Sequence, residues 1–117
     1  MFGPPEAAAV VRQSLMPFKD LGVAGASATT SRNVGGTDST SFNNAGLPGI
    51  GFGQDPIEYN THTHHTNLDN YERVIEDDVK ASAMAIAATL YQLAMREEML
   101  PRLPASQMPP LPAPPRF

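Results

Sequence analysis

Apolar residues return at helical spacing in two stretches of the chain and gather into short runs in two others. After Pro4 and Pro5, Val10, Val11, Leu15 and Phe18 recur at roughly helical steps, and Glu6 sits in the first turn, where the helix dipole favours an acid. The spacing predicts a helix over residues 4–19, with Pro17 and Gly22 marking its end. Residues 23–32 alternate small and β-compatible side chains and predict a strand. Asp38 is placed to cap a short helix over 39–45, which Gly46 and Pro48 stop. Residues 48–52 (Pro-Gly-Ile-Gly-Phe) read as a short, glycine-rich apolar strand of the kind buried in a parallel sheet.

A polar loop over 53–70 follows, and then the most regular pattern in the chain. Val79, Ala83, Ile86, Leu90, Leu93 and Ala94 form an apolar stripe, predicting a long helix over 76–98. Glu76, Asp77 and Asp78 occupy its first turn and Arg96 its last, as the macrodipole favours. Met84, Met95 and Met99 read as core or flanking filler. Seven of the twelve prolines lie in the last 17 residues, which predicts an extended or disordered tail over 101–117. Pro109, Pro112 and Pro115 would share one edge of a polyproline helix ending at Arg116, a form that aromatic grooves can dock.

Helix, strand, short helix, strand and long helix make an α/β order. Two short strands cannot cover both faces of the helices. The expected fold is therefore the C-terminal portion of a doubly wound, mostly parallel sheet over 1–100, with the tail apart from it.

Composition narrows the chemistry. A chain of 117 residues is at most one ordinary domain. Net charge is −4, with no basic stripe, so nucleic acid is not an expected partner. The absence of cysteine excludes disulfides, thiolate metal sites and cysteine nucleophiles. No basic segment followed by an apolar run marks a signal peptide, and the stretch 79–95 is too short and polar to span a membrane. Gly35 and Gly36 lack the lysine of a phosphate loop. Ser39 and Ser41 lack the glycines of a nucleophile elbow and read as helix-start hydroxyls.

What remains is Tyr59-Asn-Thr-His-Thr-His-His-Thr-Asn-Leu-Asp69, which holds all three histidines between carboxylates. Imidazole and carboxylate are zinc ligands, so the segment has the chemistry of a metal site. Three stretches in order, Gly35-Gly-Thr-Asp-Ser-Thr-Ser-Phe-Asn-Asn-Ala-Gly-Leu-Pro-Gly49, Gln54-Asp-Pro-Ile-Glu-Tyr59 and Thr63-His-His-Thr-Asn-Leu-Asp69, resemble the C-terminal part of the co-catalytic zinc exopeptidases. These form metallopeptidase family twenty-eight, which includes bacterial leucyl aminopeptidases and the glutamate carboxypeptidases. The resemblance runs over roughly residues 3–103.

The resemblance implies a two-zinc site on an α/β sheet, where a metal-bound hydroxide attacks a terminal peptide bond and the zincs stabilise the oxyanion. The family's His-x-x-x-Asp/Glu pattern falls on His65 and Asp69, which makes His65 a zinc ligand. His64 stands where some members have a tyrosine that polarises the scissile carbonyl, and so can donate to the oxyanion. Asp38 lies in a segment that supports the substrate pocket, and Asp69 caps or orients the loop. His62 has no role in the resemblance, and outside the motif His65 would read as a surface histidine. Asp55 and Glu58 read as solvated loop acids, and Tyr59 and Phe52 as packing residues.

Two departures matter. Ser39 stands where relatives commonly have histidine, and the family's other ligands and its Glu-Glu pair have no counterpart in the chain. A catalytic zinc needs about three protein ligands and a water. The reading is a fragment of a zinc-dependent exopeptidase, an aminopeptidase by expectation, acting on peptide substrates and inactive as this chain alone. The alternative is a non-enzymatic remnant that binds a partner or a metal. Full-length relatives are often exported.

Overall fold

The computed structural model describes residues 1–34 and 36–113. Three α-helices carry the architecture: α1 (Pro5–Leu15), α2 (Asp38–Asn44) and α3 (Glu76–Ala94). α1 begins with Pro5 in the first turn, where a missing N–H costs nothing, and Glu6 beside it. Its buried side is Ala7, Ala8, Val11, Ser14 and Leu15. The helix passes into a 3-10 turn (Met16–Leu21) that contains Pro17, and Gly22 closes the turn at φ 80.

The two predicted strands do not form, and no sheet exists among the described residues. Residues 23–32 and 48–52 run as irregular connectors on either side of the Met1-Phe2-Gly3 segment. Thr29 N donates to Met1 O at 2.9 Å and Gly3 N to Thr29 O at 3.1 Å, an isolated parallel bridge between Phe2 and Thr29. On its other side Phe2 N donates to Gly49 O at 3.0 Å. The expectation of a doubly wound α/β sheet is thus corrected to a helical architecture joined by irregular connectors. Alanine and glycine dominate residues 22–28 and give little side-chain surface to a ladder, and Gly25 sits at φ 116, outside strand geometry.

α3 packs on α1. Ala85 joins Met1, Ala7, Ala8, Val11 and Leu15 in one cluster, with Phe18, Ile50 and Leu93 against it. Burying Val11 and Leu15 contributes about 1.5–3 kcal/mol each. Most of the stripe expected to face this core is turned away from it, with Leu93 alone of its members packed against the cluster. Val79, Ala83, Leu90 and Ala94 are exposed, Ile86 and Leu93 are half-buried, and the enclosed positions are Ala85 and Thr89. Met84, Met95 and Met99 also lie at the surface. Between Ala81 and Ala94 only Ser82, Thr89 and Gln92 are polar, so apolar side chains lie outside the stripe as well as in it, and the stripe alone does not fix the rotation of α3.

Beyond Pro101 the chain returns along the body. Leu103 is buried, and Arg32 donates to Pro109 O from Nε (2.9 Å) and Nη2 (2.7 Å). Pro115, Arg116 and Gly35 lie outside the described residues. No helix among the described residues is long and apolar enough to cross a membrane.

Candidate functional site

The histidine loop is built around one carbonyl. Glu58 O accepts from the backbone N–H of Thr61 (3.3 Å), His62 (2.8 Å) and Thr63 (3.3 Å), winding Tyr59–Thr63 into a single π-helical turn. Such turns mark functional sites more often than ordinary helix does. Two left-handed residues bracket it, Ile57 at φ 46 and His65 at φ 58. For a β-branched isoleucine this backbone is a true outlier. Thr66 fastens the exit: its hydroxyl donates to His62 O at 2.6 Å and accepts from Leu68 N at 3.2 Å. Arg73, in a following 3-10 turn (Tyr71–Arg73), pairs with Glu58 and ties the loop to the approach to α3.

Within this frame the three histidines take different places. His64 is flanked by two rings, Tyr59 at 4.6 Å between centroids and His65 at 3.9 Å. His62 points to Thr61, with Nδ1 2.8 Å from its hydroxyl oxygen. All three are exposed, whereas Thr63 between them is buried. Tyr59 and Phe52, expected to pack, are about half exposed (50% and 46%).

Asp38 is the first residue of α2, not its cap. Thr37 holds the cap position, without a side-chain hydrogen bond to the helix. Among the described residues no hydrogen bond or ion pair joins Asp38 or the Asp69 carboxylate to the histidines.

Two polar residues that the sequence reading passed over hold the glycine-rich turn beside α2. Asn43 is fully buried; its amide donates to Arg32 O and Val34 O, both at 3.0 Å, and its Oδ1 accepts from Gly49 N at 3.0 Å. A Cβ at Gly49 would collide with that Oδ1 and with Ser39 O. Arg32 is buried too. It donates to Asn43 O and Asn44 O at the end of α2, and its guanidinium lies 5.5 Å from the centre of the Phe2 ring. The carbonyl end of α2 thus receives a cation that complements its dipole. The Asn-Asn-Ala-Gly-Leu-Pro-Gly run was the available signal, since an asparagine before two close glycines often bonds backbone in a turn.

The arrangement does not by itself fit a zinc ion. No group of three or more histidine, aspartate and glutamate side chains among the described residues is placed to share a metal. A closed or catalytic zinc shell needs at least that many protein ligands.

The sequence profile described as Peptidase family M28 matches residues 5–90. No curated protein and no solved structure matches the chain.

Proposed function

This chain belongs to peptidase family M28, a family of generally zinc-dependent peptidases, and from that premise we propose that it carries one ligand-bearing loop of a zinc exopeptidase. The parent activity in this reading is an aminopeptidase, cleaving the terminal bond of a peptide. His65 is the zinc ligand, His64 donates to the oxyanion, and Asp38 and Asp69 support the pocket and the loop. The carrying observation is that the family match includes the whole His-x-x-x-Asp segment, 65–69, in order behind the segment of Asp38. The left-handed backbone of His65 adds support, because strained residues gather at ligand sites. The remaining ligands come from outside the described residues, so the chain alone performs no hydrolysis.

Zinc titration by calorimetry tests the assignment of His65. Weak binding is expected for the chain, lost in His65→Ala and retained in His62→Ala. Equal binding by all three proteins sinks it.

The second reading is a non-enzymatic module that binds a partner. It is favoured by one specific observation, the outward apolar face of α3. The two readings are not exclusive in their surfaces, only in whether turnover follows once the zinc shell is complete.

A further inference from the structure

The proline-rich segment is anchored at its base and displayed beyond it. Leu103 is buried, Ala105–Gln107 form a 3-10 turn, and Met108 and Pro109 are half-buried. The Met108 methyl lies beside Gly46, 3.2 Å from where a Cβ would stand. The Pro109 carbonyl is held by Arg32 Nε and Nη2. Past that anchor Pro110, Leu111, Pro112 and Ala113 are all exposed, Leu111 at 64%, and none belongs to a helix or strand.

The sequence dictates the backbone of this run. Proline fixes φ near about −65°, and a residue before proline is kept out of the α region. Every residue from 108 to 113 is a proline, precedes one, or does both. Met108 shows the result, at φ −69 and ψ 121. This is polyproline II backbone, which has three residues per turn and no internal hydrogen bonds. Among the described residues no hydrogen bond reaches 110–113, so the Arg32 anchor at Pro109 is the last polar tie to the body.

Its composition is not that of a solvated tail. Residues 108–115 (Met-Pro-Pro-Leu-Pro-Ala-Pro-Pro) carry no polar side chain, whereas disordered segments are rich in charge. The run also lies outside residues 5–90, the part of the chain that matches the peptidase family. Most ways of recognising a peptide fail on it. Strand addition to a sheet edge needs backbone N–H donors, which five prolines lack, and the same prolines exclude a helix laid in a groove. Phosphate readers need a hydroxyl, and 108–115 hold no serine, threonine or tyrosine. What remains is polyproline II against aromatic rings.

We infer that residues 109–115 are a docking peptide for a protein domain whose groove is lined by tryptophan and tyrosine rings. Proline and leucine supply apolar surface to such rings, and the free carbonyls of the run accept from the groove's indole and hydroxyl donors. With three residues per turn, Leu111 and Pro112 head two adjacent edges of the helix, and both face solvent. Arg32 serves the display. Fixing Pro109 removes freedom from the run before a partner arrives, and a preordered ligand loses less entropy on binding. This inference does not depend on the peptidase reading, and its test contains no zinc.

The chain has no tryptophan, so the fluorescence of a groove tryptophan reports docking without interference. The probes are a panel of purified WW and SH3 domains, which carry grooves of this kind, each titrated with the 117-residue chain. At least one should show a saturable change. For that domain Leu111→Gln and Pro112→Ala should each weaken binding about tenfold, the loss expected of a residue central to a contact. Circular dichroism of both variants should match the parent, because both positions are exposed. Leu90→Gln, at an exposed position on α3, should bind as the parent does. No saturable change with any domain of the panel overturns the proposal. Binding that survives both tail substitutions, or that falls as far in Leu90→Gln, places the contact elsewhere and overturns it as well.

Discussion

His64 and His65 stack with ring centroids 3.9 Å apart, although they are consecutive in the chain. In extended backbone neighbouring side chains point to opposite faces. Here His65 turns to φ 58 and brings its ring back over His64. Left-handed backbone costs a non-glycine residue about 1–2 kcal/mol. His65→Gly should therefore raise stability by roughly 1 kcal/mol in urea unfolding, and His65→Ala should not. Equal midpoints for the two variants would show that the backbone at 65 carries no strain.

Asn43 is the buried junction between α2, the segment at Arg32 and Val34, and the turn at Gly49. Asn43→Ala deletes three hydrogen bonds and strands a buried N–H and two carbonyls, at a cost of about 3 kcal/mol. Asn43→Asp keeps the acceptor for Gly49 N but sets a carboxylate against two carbonyls, and should lose as much. Thermal or urea unfolding checks both. A loss below about 1 kcal/mol in Asn43→Ala would place the junction outside the cooperative core.

Arg32 fastens the proline-rich tail through its two donations to Pro109 O. Arg32→Met preserves bulk over Phe2 and removes every donor. Hydrogen exchange should then quicken at the Leu103 and Met108 amides, and proteolysis should shorten the chain after Pro101. Unchanged exchange in the variant would mean that the tail is held by Leu103 burial alone.

The helices could be read from the sequence because each carries its own signals. Pro4, Pro5 and Glu6 mark the start of α1, and Glu76, Asp77 and Asp78 that of α3. What could not be read was set by partners distant in sequence. Residues 23–32 and 48–52 look like strands locally, but the segment between them, Met1-Phe2-Gly3, offers backbone for a single bridge. The rotation of α3 was hidden by its own composition, because Ala81, Met84, Ala85 and Ala88 lie outside the apolar stripe and give the helix a second face able to pack. In the site, the clustering of His62, His64 and His65 was plain, whereas the left-handed turn at His65 and the roles of Arg32 and Asn43 arise from backbone geometry that no spacing rule encodes.

Thr89 gives a test of that rotation. Its hydroxyl is enclosed without a hydrogen-bond partner. Thr89→Val keeps the shape and removes the unsatisfied group, and should stabilise the chain by about 1 kcal/mol. Destabilisation would mean that the hydroxyl has a partner and that α3 sits differently on α1.

The most direct measurement is hydrolysis of an aminoacyl chromogenic substrate by the purified 117-residue chain, with zinc added and with a chelator as control. A loop that supplies one ligand to a site closed from elsewhere predicts no zinc-dependent turnover above the buffer blank. Turnover that requires zinc, stops with the chelator and disappears in His65→Ala would show a complete catalytic site within the chain and contradict that claim.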